Sequence, residues 1–204
     1  MDAVSLLLLS VSLFAIGALA SLLLNAFGRV ARLTSGLMGA AASGVGGWAV
    51  VQAIAYPPPA LQLADPFHFG HFVVQMDGLS TLMAGMITLL SLAVSVYSIA
   101  YWEHYPQRNA GVAGFFTNLF VGLMLLVVTV TNAFYFLIVW EMMTLVSYCL
   151  VIFESEKKEA VEAGYLYMLV AHAGAVLIML AFFIFYWNVG SFDFAAFRQS
   201  LIGS

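Results

Sequence analysis

Long apolar stretches separated by short polar breaks organise the 204-residue chain. Runs at Val4–Phe27, Leu33–Ala55, Leu79–Tyr101, Val112–Thr131, Ala133–Phe153 and Val161–Trp187 each reach or approach the roughly 20 residues that a helix needs to cross hydrocarbon. The pattern predicts an all-α membrane protein with six transmembrane helices in a single domain spanning residues 1–204. The breaks carry loop chemistry: Gly28-Arg29 with Arg32, Pro57-Pro58-Pro59, Pro106-Gln107-Arg108-Asn109, Thr131-Asn132, and the charged run from Glu154 to Glu162. The brevity of the fourth break predicts a tight helical hairpin of spans four and five. In the longer second break, Phe67-His68-Phe69 and His71-Phe72-Val73-Val74 flank Gly70, which predicts a short β-hairpin between helices two and three. Span two carries small residues four apart, Gly36, Ala40 and Gly44 beside Gly39, Ser43 and Gly47. In lipid such rows let a second helix approach closely.

Composition excludes the soluble classes. Apolar residues make up 64% of the chain and charged residues 8%, against about 25% charged in soluble domains. With six Lys and Arg and a net charge of −4, no basic patch exists for nucleic acid. The single cysteine, Cys149, rules out an internal disulfide and the thiolate set of an iron–sulfur cluster. The start Met1-Asp2-Ala3 lacks a basic n-region, and the apolar run continues past the length of a cleavable signal, so it reads as a first span. Arg29, Arg32, Arg108, Lys157 and Lys158 follow spans one, three and five, whereas the other connections hold only Arg198. This asymmetry predicts a cytoplasmic side for the first group and an N-terminus outside, in the periplasm.

Placed on this map, every charge but Glu141 falls in a loop or at a span end. Glu141 lies near the middle of span five, where a charged side chain costs about 2.5–3.5 kcal/mol unless it is paired, hydrated or protonated. Desolvation favours its neutral form and a cationic partner its charged form, and a carboxyl between those influences can take and release a proton. Thr144 and Tyr148, three and seven positions on, share its helical face and are candidates to support a hydrogen-bonded path. The bland alternative is a protonated Glu141 bonded to a neighbouring carbonyl. His172 in span six is a second relay candidate, weighed equally against a neutral interhelical contact. Asp77 reads first as an N-cap of span three and second as an outer proton site. His68 and His71 lack a third ligand, so no metal site is assigned. The run from Glu154 to Glu162 reads as a solvated turn whose Lys158 and Glu162 can pair.

The stretch Trp140-Glu141-Met142-Met143-Thr144-Leu145 resembles the antiporter-like membrane subunits of respiratory complex I and of membrane-bound hydrogenases. Further matches follow in order: Met1-Asp2-Ala3, Met76-Asp77-Gly78-Leu79-Ser80, Gly114 to Phe120, Ala171-His172-Ala173-Gly174 and Gly190 to Phe194. The His172 position fits the hydrogenase branch, that of hydrogenase 4 and formate hydrogenlyase. The resemblance implies an inverted-repeat helical bundle in which a Glu on the fifth helix, matched by Glu141, pairs with a Lys on the seventh in a proton path. Only the first part of such a subunit is represented. The chain stops at Ser204, before that Lys, so a complete proton channel is not expected from these residues alone.

The function so implied is a bacterial inner-membrane subunit of a hydrogenase or complex I-like assembly, coupling electron transfer in its partners to proton translocation. No cofactor is expected in this chain; the resemblance puts nickel–iron and iron–sulfur centres in soluble hydrogenase subunits. The other expected partners are lipid, neighbouring membrane subunits and protons. Two alternatives remain at this point: a subunit of a multi-subunit cation/proton antiporter, and an assembly piece without transport.

Overall fold

The computed structural model describes residues 1–63, 71–104, 109–154 and 156–202. Helices α1 (Ala3–Leu23), α2 (Gly28–Ala55), α3 (Gly78–Tyr101), α4 (Ala110–Val127), α5 (Ala133–Val151) and α6 (Lys158–Val189) are each long and apolar enough to cross a membrane. Strands β1 (Leu61–Leu63) and β2 (Phe72–Val74) lie between α2 and α3, and a short helix, α7 (Phe194–Ile202), follows α6. The chain groups into two compact units, residues 1–59 with 76–128 and residues 60–75 with 129–204.

The first unit is the bundle α1–α4, and its core is built on small residues. Gly36, Gly39, Ser43 and Gly46 form the buried face of α2. A Cβ at Gly36 would meet Ile99, one at Gly39 would meet Ser95 and Asn118, and one at Gly46 would meet Thr88 and Ser10. The expected small-residue packing is therefore present, but its row steps by three and four rather than by four alone, as a 3.6-residue period requires. Gly44 and Gly47, which the four-residue rows included, face open space. Several polar groups in this core pair within it: Ser10 donates to the Ala42 carbonyl at 2.7 Å, Ser43 and Ser91 share a hydrogen bond of 2.7 Å, and the Asn118 amide donates to Ser35 Oγ at 2.9 Å. Asp77 caps α3, accepting from the Ser80 backbone N–H at 2.8 Å, as its first reading predicted.

Several helix ends differ from the pattern-based boundaries. The α1 helix stops at Leu23 and α2 begins at Gly28, so Arg29 and Arg32 belong to the first turns of α2 rather than to the loop. There Arg32 pairs with Glu103 at 3.6 Å. The α4 helix stops at Val127 instead of continuing to Thr131. Val128 caps the helix in helical conformation and Thr129 continues the turn, after which the chain hydrogen-bonds β2: Val130 bridges Val74, the Gln75 N–H donates to the Thr129 carbonyl, and the Thr131 N–H donates to the Val73 carbonyl. Spans four and five, expected as one hairpin, are divided between the two units.

In the second unit, β1 and β2 form an antiparallel hairpin between α2 and α3, with Leu61 opposite Val74 and Leu63 opposite Phe72. The first strand is Leu61–Leu63; the expected strand at Phe67-His68-Phe69 lies outside the described residues. His71 shares a hydrogen bond of 2.7 Å with Gln62 across the hairpin. The α5 helix ends at Val151, and α6 begins at Lys158, so the second half of the charged run is helical and carries the expected Lys158–Glu162 pair at 3.5 Å. At 32 residues, α6 is about 48 Å long, more than the roughly 30 Å of hydrocarbon. Its charged first turns therefore have length to spare for the polar interface. The α6 helix ends at Gly190, whose φ of 74° is the left-handed conformation that glycine adopts without strain.

Beyond Gly190 the chain returns to the start of α5, and the junction is a polar clasp that patterning did not foresee. Asn132, 1% exposed, accepts from the backbone N–H groups of Phe134 and Tyr135 and donates through Nδ2 to Asp193 Oδ1 at 2.9 Å. Ser191 donates to Asp193 Oδ2 at 3.2 Å. We expect Asn132→Ala to lower stability by about 1–3 kcal/mol, through the lost cap and the unsatisfied carboxylate. Asn132→Asp retains the cap but faces Asp193 with a second carboxylate, so it should cost at least as much. Thermal unfolding in detergent checks both.

Candidate functional site

The site grows from the packing of α5 against α6. The two helices run antiparallel across a short connection and approach closely at Gly164, where a Cβ would meet Ile152 and the Tyr148 ring. Residues facing one another across this seam have positions that add to a nearly constant sum, and the same register that sets Tyr148 against Gly164 sets Ser147 against Tyr167. The Tyr167 hydroxyl donates to Ser147 Oγ at 3.0 Å. Continued along the seam, that register places Glu141 opposite His172.

Glu141 Oε2 lies 3.4 Å from His172 Nε2. The other ring nitrogen, Nδ1, is 3.0 Å from the carbonyl oxygen of Met168, one turn earlier on α6. Both groups sit deep in their helices: Glu141 is about 12 Å from the start of α5 and His172 about 21 Å from the start of α6, at 1.5 Å per residue. The Glu141 side chain is 36% exposed and that of His172 47%, so the pair opens on the outer face of the seam. Beside Glu141 this face carries an apolar groove of about 400 Å³, lined by Leu137, Met142, Leu145, Met179 and Phe183.

The remaining sequence candidates fall elsewhere. Thr144 is buried and donates to the Trp140 carbonyl on its own helix at 3.0 Å. Tyr148 lies against Gly164 of α6. Asp77 is engaged as a helix cap. Among the described residues no His, Cys, Asp and Glu cluster has metal-ligand geometry. Tyr167 and Ser147 were not singled out in the sequence, because two hydroxyl residues in apolar helices carry no signal until the register is known. Removing that hydroxyl in Tyr167→Phe should cost about 0.5–1.5 kcal/mol, read as a small drop in the unfolding midpoint.

Comparisons with known proteins place this seam inside a shared region. Residues 130–202 match the family model described as NADH:quinone oxidoreductase/Mrp antiporter, TM, and residues 67–116 match NADH-ubiquinone oxidoreductase (complex I), chain 5 N-terminus. The chain is 39% identical to hydrogenase-4 component B of Escherichia coli (strain K12) over 97% of its own length and 30% of that protein. It is 31% identical to NAD(P)H-quinone oxidoreductase chain 5 of Synechocystis over 69% of its length and 20% of that protein. The chain thus spans under a third of the length of these relatives. Its fold matches a chain in the solved structure of the membrane-bound sulfane sulfur reductase, an archaeal respiratory membrane complex. The TM-score is 0.79 at 14% identity, covering 95% of this chain and 39% of that one.

Proposed function

We propose, from the similarity of this chain to hydrogenase-4 component B over 97% of its length and from its matches to the two family models, that it serves in a membrane subunit of a hydrogenase-type assembly that couples electron transfer to proton translocation, with Glu141 as a relay carboxyl. The observation that carries the reading is the position of Glu141. It is the one charged residue of α5, it lies mid-helix, and it meets a proton-accepting ring across the seam rather than a purely structural partner. An intramembrane carboxyl in that setting is a functional group by default. His172 extends the relay; Thr144 and Tyr148 shape the helix that carries it.

In this reading the protein lies in the bacterial inner membrane with its N-terminus in the periplasm. Neighbouring membrane subunits and soluble hydrogenase subunits carrying nickel–iron and iron–sulfur centres are its partners. The test is proton translocation by vesicles containing the family-length subunit, wild type against Glu141→Gln. A second reading, a subunit of a cation/proton antiporter, is favoured by the family model that names such antiporters. Sodium-dependent growth of an antiporter-deficient strain supports the second reading, and co-purification with a nickel–iron hydrogenase supports the first.

A further inference from the structure

We propose that the α1–α4 bundle holds an anionic phospholipid at the end where α2 begins, with the lipid phosphodiester on Arg29 and Arg32 and an acyl chain along the exposed face of α2. This site lies in the first unit and is independent of the relay reading of Glu141.

The argument begins with charge. Among the described residues of this unit, Asp2 and Asp77 precede α1 and α3 at one end of the bundle, and Arg29, Arg32 and Glu103 stand at the other. Two guanidinium groups there face one carboxylate. Arg29 is exposed and has no ion pair among the described residues. The Arg32 side chain is only 13% exposed, whereas that of Glu103, which approaches its Nη2 at 3.6 Å, is 68% exposed. A carboxylate so open to water compensates a guanidinium weakly. The Nε of Arg32 is moreover buried with no acceptor among the described residues, a state that is costly for a charged donor. The other buried atom without a partner, Asn25 Oδ1, lies against Gly111 of α4 and does not bond Arg32. This end of the bundle therefore has donors and positive charge to spare, and an anion is the group it fits.

Depth and shape make that anion a lipid headgroup. At 28 residues α2 is about 42 Å long, more than the roughly 30 Å of hydrocarbon, so the first turns that carry both arginines reach the polar interface. The end of α3 marks the same level with Tyr97 and Tyr101, both exposed and with ring centroids 5.6 Å apart, the residue type that gathers among headgroups. Arg29 and Arg32, three positions apart, are neighbours on the helix surface, and a guanidinium fork matches two oxygens of a phosphodiester. Leu33 and Leu37, four and eight positions after Arg29, continue its face into the membrane and are exposed. A phospholipid supplies both the charge that the arginines lack and a chain for this apolar face. Free phosphate supplies only the first.

The test is native mass spectrometry of the family-length subunit released from nanodiscs of mixed phosphatidylcholine and phosphatidylglycerol. Phosphatidylglycerol should be retained in preference to phosphatidylcholine. Arg29→Gln should lower that retention about fivefold, the share of one basic residue near an anionic surface. Glu103→Gln should raise it, because the substitution removes the carboxylate that competes for Arg32; a purely structural ion pair predicts the opposite sign. Both substitutions change exposed side chains, so neither endangers the fold. Glycerol phosphate, which has the charge without the chain, should displace no bound lipid. Equal retention of the two lipids, undiminished retention in Arg29→Gln, or a fall in Glu103→Gln would overturn the proposal. Displacement by glycerol phosphate would overturn it as well, by assigning the arginines to a free phosphate.

Discussion

Replacing Glu141 by Gln in the family-length subunit should lower proton translocation about a hundredfold, the scale on which one positioned proton-transfer group contributes, while leaving the assembly intact. Gln retains the length and much of the shape of Glu and can still donate to or accept from His172, but it has no proton to exchange. The stability effect should run the opposite way. A carboxyl in hydrocarbon costs about 2.5–3.5 kcal/mol when charged, so its removal should leave the amount of folded subunit unchanged or slightly higher. A lost activity with an undiminished fold is the signature of a group retained for function. The measurement is acidification of inverted vesicles, followed with a pH-sensitive dye while hydrogenase turnover is recorded in parallel. Unchanged acidification per turnover would end the assignment. Equal loss of acidification and of assembled complex would point to a structural role.

The six spans were legible because crossing hydrocarbon imposes a length and a composition that a single sequence displays. Their ends were less so. No charged residue, glycine or proline breaks the pattern between α4 and Val130, and what takes Val130 out of the helix is its bridge to Val74 of β2, a partner more than 50 residues away in the chain. The α7 helix was missed for a related reason. Only nine residues long, it carries too few turns for its period to stand out from a tail.

The site was half legible. Glu141 announced itself as a charge that topology did not explain, but its partner depended on register. One cue was present: two long helices joined by a short connection pack antiparallel, so residues equally far from the turn face one another. Glu141 lies fifteen positions before Glu156 and His172 sixteen after it. That symmetry would have paired them before any coordinates were known. It would not have shown Nδ1 turned to Met168, because the ring's orientation depends on local rotamers rather than on spacing. The Asn132–Asp193 clasp had no such cue. Its members belong to different loops, and each alone reads as an ordinary turn or cap residue.

Gly111→Val should be the most damaging single substitution in the α1–α4 bundle, for reasons unrelated to proton transfer. A Cβ built at Gly111 would fall 2.5 Å from the Ser21 carbonyl oxygen and 2.8 Å from Asn25 Cα, both backbone atoms of the α1 end. A side chain in the way can rotate; backbone cannot, so α1 and α4 must separate. Overpacking of this kind typically costs about 1–3 kcal/mol, occasionally more, and valine adds two methyl groups beyond the Cβ. At about 2–4 °C per kcal/mol for a chain of this size, the unfolding midpoint should drop by several degrees. Gly44→Ala supplies the control. That position lies on the same class of helix but faces open space, and exchanging a helical glycine for alanine gains up to about 1 kcal/mol. Opposite signs at the two glycines, read by thermal unfolding in detergent, would confirm that close backbone approach, not glycine content, holds this bundle together. A loss at Gly44 as large as that at Gly111 would show that the two positions are not distinguished by packing.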